Sequence, residues 1–140
     1  LETIAGRLLV DAPDTNFELQ YELPEYKVFV HTDKFRMEQV LDNLLVNAKK
    51  NVQPGGILRL SLKEEKGILN FSIYNQCFAI PEETLSKIWT KFYRDHNSKY
   101  NGSGLGLAIV AQILSMQNLD YGVKNVPDGV LFYFSIPTIK

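Results

Sequence analysis

A chain of 140 residues that is 45% hydrophobic has length for one domain and material for a core. A net charge of −1 excludes the broad basic field that nucleic acid binding draws on, so no nucleic acid partner is expected. The single cysteine, Cys77, excludes an internal disulfide framework and fits a reducing compartment, while no run has transmembrane length, no N-terminal segment reads as a signal peptide and no Cys/His cluster has zinc spacing.

Leu1, Ile4, Ala5, Leu8 and Leu9 recur at helical spacing, so residues 1–12 predict a lead-in helix and the turn that closes it. The chain begins without Met, which gives the expectation of a piece excised from something longer. Residues 17–23 alternate apolar and polar, as in a half-buried strand; Pro24 and Glu25 turn the chain, and residues 26–30 predict a second strand. His31 stands at that strand's end with no partner in view and is read as a bystander. Thr32 or Asp33 can cap the helix that follows.

That helix, residues 33–51, has two faces. Met37, Val40, Leu41, Leu44, Leu45 and Ala48 form a buried stripe. Asn43, Asn47 and Lys50 share a second face, by i, i+4 and i+7 spacing. Asn is a mediocre helix former, so two of them one turn apart inside a helix cost stability. They read either as exposed or locally capped residues, or as carboxamide oxygens for a hard cation with an ammonium for phosphate.

Past the breaker at Pro54-Gly55-Gly56, residues 57–63 and 68–74 predict a hairpin turning at residues 64–67. Residues 75–79 are irregular. Pro81 suits the first turn of a helix whose apolar face carries Leu85, Ile88, Trp89 and Phe92. Residues 95–101 are polar and patternless, with His96 among them. Gly102, Gly104 and Gly106 then open an apolar helix to about Met116, a pattern that exposes backbone N–H groups for an anion. Neither a P-loop lysine nor a preceding strand accompanies the glycines, so both common nucleotide fingerprints are absent. Residues 119–126 and 130–137 predict two strands split by a turn at Pro127-Asp128-Gly129. Strands in hairpins rather than βαβ units predict an α/β (α+β) two-layer sandwich: a mixed, mostly antiparallel sheet of five to six strands with three main helices on one face.

Taken together, the blocks resemble a known family. Residues 43–50 (NLLVNAKK), 88–94 (IWTKFYR) and 102–109 (GSGLGLAI), in that order with Asn75 before Ile80-Pro81, are similar to the N box, F box and second glycine box of the catalytic, ATP-binding domain of bacterial sensor histidine kinases. These belong to the superfamily of gyrase, chaperone, mismatch-repair and kinase ATPases, which share the Bergerat fold. The resemblance covers residues 17–137 and implies one catalytic domain over residues 1–140 with an ATP lid over 81–101. It implies ATP and Mg²⁺, with Asn47 on the metal, Asn43 supporting metal or phosphates, and Lys50 and Arg94 offsetting phosphate charge. Asn75 would face the adenine amine; Cys77, Ala79, Ile80, Tyr93 and Leu107 would border the nucleotide. Gly102, Gly104, Leu105 and Gly106 would bring backbone amides over the phosphates.

The family's first glycine box, Asp-x-Gly-x-Gly, is here Asn75-Gln76-Cys77-Phe78-Ala79. Loss of the carboxylate's charge is worth on the order of 1 kcal/mol, roughly tenfold in affinity. A left-handed backbone at Cys77 would add about 1–2 kcal/mol. ATP binding weakened rather than abolished is therefore expected. Cys77 reads either as a reagent-accessible thiol at the pocket mouth, shielded by nucleotide, or as a buried inert one. Where hydrolysing relatives carry a Glu, this chain has Asn43, which is no base at neutral pH; this favours a histidine kinase, in which imidazole is the nucleophile. The resemblance implies transfer of the γ-phosphoryl to a histidine on a separate dimerisation domain and onward to a response regulator aspartate. It also implies a monomeric isolated domain, placed in the cytoplasm on a membrane-anchored parent. The alternative is a degenerate, nucleotide-blind interaction module of the same fold.

Overall fold

The computed structural model describes residues 17–25, 28–90 and 106–139. The predicted lead-in helix, the loop at 95–101, and Tyr93, Arg94, Gly102, Gly104 and Leu105 lie outside them, as do Phe92 and most of the predicted lid.

Six strands form one mixed sheet: β1 (Phe17–Glu22), β2 (Phe29–Val30), β3 (Gly56–Glu65), β4 (Ile68–Gln76), β5 (Tyr121–Val126) and β6 (Gly129–Ile139). The order is β1-β3-β4-β6-β2, with β5 also paired to β6. Three helices occur among the described residues: α1 (Lys34–Asn51), a single turn α2 (Glu82–Leu85), and α3 (Gly106–Met116).

The period-2 patterns register across the sheet. Leu58, Asn75, Val130 and Asn125 fall in one cross-strand row, Leu60, Ile73, Phe132 and Val123 in the next, and Leu62, Phe71, Phe134 and Tyr121 in the third. This face buries its apolar members against Val40, Leu44, Leu45 and Ala48 of α1 and Leu107, Val110, Ile113 and Leu114 of α3, in one core. Trp89 closes it at one side, edge-on to Tyr121 and Phe132 at 5.1 and 5.6 Å.

Local chemistry sets the boundaries. Asp33 caps α1, its Oδ1 accepting from the Arg36 amide at 3.2 Å. α3 ends in a left-handed Asn118 (φ 57°), and the Leu119 amide returns to the Leu114 carbonyl at 2.9 Å, as in a Schellman cap. The β3–β4 hairpin turns on Lys66 and Gly67, both at positive φ, as a two-residue I′ turn requires.

One expectation is corrected. β1 and β2 do not form a hairpin: β1 runs parallel to β3, Phe17 opposite Gly56, while the two-residue β2 pairs with Thr138 and Ile139 at the far side of the sheet. Alternation specifies which face of a strand is buried but not which strand it joins. α1 must lay its stripe across the sheet centre, so it carries the chain back over the sheet and delivers β3 alongside β1, a crossover rather than a hairpin.

Candidate functional site

Three chain segments converge at one end of the sheet. The first is the middle and last turn of α1. Asn43 is half-buried, and its Nδ2 donates to the Gly106 carbonyl at 3.3 Å. Its carboxamide is thus turned toward the start of α3, not toward water. Asn47 is 1% exposed. Asn51 spans one helical turn to it, its Nδ2 lying 2.8 Å from the Asn47 carbonyl and 3.4 Å from Oδ1. Asn47 therefore occupies a core position, although spacing alone placed it beside the stripe. Lys50 is exposed.

The second segment is the end of β4. Gln76 ties it to the connection from α1 into β3: its carbonyl accepts from the Gln53 amide at 2.8 Å and its Oε1 from the Ile57 amide at 3.1 Å. Strand alternation then turns Asn75 and Cys77 inward, to the helix side. Asn75 is fully buried. Its Nδ2 donates to Cys77 Sγ at 3.4 Å, while its Oδ1 is buried with no hydrogen-bond partner. An unmet buried acceptor costs about 1–3 kcal/mol, so this oxygen asks for a donor.

The third segment leads from β4 into α2. Asn125 of β5 holds it with a reciprocal pair, Oδ1 accepting from the Ile80 amide at 2.8 Å and Nδ2 donating to the Ile80 carbonyl at 2.7 Å. Ile80 is 1% and Leu107 2% exposed, both in the common core. Ala79 is exposed.

Burial decides between the two readings of Cys77. Its side chain is 9% exposed, and burial pushes the thiol from an ordinary 9.0 up to about 11, with a Val130 backbone hydrogen bond opposing. It is the buried, inert thiol rather than an accessible one at a pocket mouth. Its backbone is unstrained too: among the described non-glycine residues only Lys66, Asn118 and Asp128 have positive φ. The side chain that stands where the resemblance expects a glycine is taken up by the core without left-handed strain.

Of the expected site residues, Asn43, Asn47, Gly106 and Leu107 thus share one flank, and Asn75, Cys77 and Ile80 the facing end of the sheet. Lys50 and Ala79 face solvent. Asn125 and Gln76 were missed. Asn125 carried a signal, an amide on the inward phase of a strand whose other inward residues are Tyr121 and Val123. A cleft of about 930 Å³ opens elsewhere, between the start of α1 and the end of α3, lined by His31, Arg36, Met116 and Ile139 among others. No expected site residue lines it, and His31 is an exposed member of its rim. Among the described residues no group of three or more His, Cys, Asp or Glu side chains could hold a metal. Were Mg²⁺ held here, its protein donor would be a neutral carboxamide oxygen such as that of Asn47, which is buried and lies 3.4 Å from Asn51 Nδ2. No described helix is long and apolar enough to cross a membrane.

Residues 32–139 match the family described as histidine kinase-, DNA gyrase B-, and HSP90-like ATPase. The sensor protein VanSB of Enterococcus faecalis is 34% identical over 111 residues, covering 77% of this chain and 25% of that protein. The nucleotide-free catalytic domain of histidine kinase ThkA superposes with a TM-score of 0.83 at 27% identity, covering 98% of this chain and 91% of that one. ThkA in complex with the response regulator protein TrrA superposes at 0.80 and 25% identity, covering 99% of this chain and 40% of that one. The chain thus spans about a quarter of the VanSB sequence.

Proposed function

The chain belongs to the histidine kinase-, DNA gyrase B-, and HSP90-like ATPase family, and from that membership we propose that it is the ATP-binding catalytic domain of a sensor histidine kinase. The observation that carries the reading is the buried, unpartnered Oδ1 of Asn75 at the sheet end facing α1 and α3. The exocyclic amine of adenine is the donor that it lacks. Ile80 and Leu107 supply apolar surface for the base. Asn43 and Asn47 hold carboxamide oxygens and amides on the α1 flank for the triphosphate and its cation. Lys50, free of the core, reaches toward phosphate as a point charge. Arg94, Tyr93, Gly102, Gly104 and Leu105 complete the same site by the family pattern. Mg²⁺ supplies charge neutralisation at the triphosphate.

In this reading the chain positions ATP, and the nucleophile comes from another domain, a histidine on the dimerisation domain of the parent kinase. The phosphoryl group passes on to a response regulator aspartate, a partner class supported by the complex of ThkA with the response regulator protein TrrA. The isolated domain is a monomer, and in the parent it is a cytoplasmic part of a membrane-anchored protein.

A second reading is favoured by Cys77, whose buried side chain stands where the family has glycine: the pocket floor is filled and the fold serves as a nucleotide-blind docking module. Calorimetry separates the two. The kinase reading expects saturable heat with Mg-ATP, weakened at least tenfold or so by Asn47→Asp. No heat at millimolar Mg-ATP leaves the docking module standing. Label from γ-labelled ATP should not appear on the isolated chain, and its appearance would contradict the separate-nucleophile mechanism.

A further inference from the structure

Asn and Asp differ at the floor of a base pocket in one respect beyond charge. A carboxylate presents oxygen whichever way it turns. A carboxamide presents an acceptor on one side and a donor on the other, and a half-turn about χ2 exchanges them. An Asn that reads a base therefore has to be held, or it reads two bases. Adenine offers an amine at its 6-position, and guanine offers a carbonyl there.

We propose that Cys77 is the positioning residue that holds the Asn75 carboxamide with its oxygen toward the nucleotide, and so sets the preference for adenine over guanine. The proposal rests on the reading of this site as a nucleotide pocket. Its basis is the division of labour within the one side chain. Nδ2 donates to Cys77 Sγ at 3.4 Å, and Oδ1 is left buried and unpartnered. The neighbours reinforce that arrangement. Cys77 is anchored from behind, its amide donating to the Asp128 carbonyl at 3.2 Å. The thiol is protonated at neutral pH, the more firmly for its burial, so the sulfur accepts as a neutral atom and adds no charge beside the base. The backbone at Cys77 is not left-handed, so a glycine is not needed there for conformation and the position is free to carry a side chain with this role.

The change from carboxylate to carboxamide and the change from glycine to cysteine, two residues apart on one strand phase, are then a single coupled feature. The second restores the directionality that the first gives up.

The test is the ratio of Mg-GTP to Mg-ATP dissociation constants, titrated calorimetrically. Each constant is read from the curve shape of folded protein, so a partly unfolded variant does not distort the ratio. The chain as it stands should prefer ATP by about tenfold or more, one well-placed hydrogen bond against one repulsive contact. Cys77→Ala releases the amide and should bring the ratio toward unity. Cys77→Ser, whose hydroxyl still accepts from Nδ2, should keep most of the preference. Adding Asn75→Asp to Cys77→Ala should restore it, since a carboxylate needs no holding. An unchanged ratio in Cys77→Ala overturns the proposal, as does a native preference for GTP, which would set the carboxamide the other way round. Binding of neither nucleotide by the native chain sinks the nucleotide reading itself, a result distinct from an unchanged ratio.

Discussion

A side chain's neighbours decide what it can do, and Cys77 shows this most sharply. Its thiol titrates at about 11 rather than 9.0 because burial penalises the thiolate. In the unfolded chain the group ionises about two units earlier, so between these values the native state holds the extra proton. The resulting stability is fully present below pH 9 and is lost as pH rises through about 11; it amounts to roughly 3 kcal/mol at most. The urea midpoint should therefore fall between pH 8 and pH 10.5 in the native chain by more than in Cys77→Ala. Equal falls in the two would mean that the thiol ionises as freely folded as unfolded. For the same reason, labelling by a thiol reagent at pH 8 should run about a hundredfold slower than for an unfolded thiol.

At the scale of elements, the joint between β4 and α2 depends on β5. The two hydrogen bonds from Asn125 to the Ile80 backbone, at 2.8 and 2.7 Å, are the side-chain clamp on the segment that enters α2. Asn125→Ala leaves a buried amide and carbonyl without their partner, a loss of about 1–3 kcal/mol. Because the released segment carries one wall of the candidate site, the expected signature is local. Amide hydrogen exchange at Ile80 should accelerate at least tenfold while that of Ile73, in mid-β4, changes only with global stability. Acceleration shared equally by both positions would make Asn125 an ordinary stabilising residue with no particular hold on this joint.

For the molecule as a whole, the candidate site joins elements distant in sequence, α1, the β4 end, β5 and the α3 start. A ligand that bridges them should stabilise the entire fold. At a hundredfold excess over its dissociation constant, Mg-ATP should contribute about 2.7 kcal/mol, raising the melting temperature by about 8 °C. Mg²⁺ alone should do nothing measurable, since among the described residues no acidic or histidine cluster could hold it. A shift produced by Mg²⁺ without nucleotide would reveal a metal site independent of the triphosphate and remove Asn47 from its proposed role.

The sequence by itself determined the parts whose physics is local. Hydrophobic period marked α1 and its buried stripe, alternation marked the β3–β4 and β5–β6 hairpins, and turn chemistry placed their corners within residues 64–67 and 127–129. The two asparagines of α1 stood out because they cost a helix something, and family resemblance drew Asn75 and the glycines into the same site. Only the tertiary structure decided the rest, because burial and partnership depend on what other elements bring. Period 2 could not say that β1 would run beside β3 rather than pair with β2. Spacing put Asn47 next to the core, and packing put it inside. Cys77 had two readings until the sheet closed over it, and the oxygen of Asn75 was left without a partner only once every neighbour was in place.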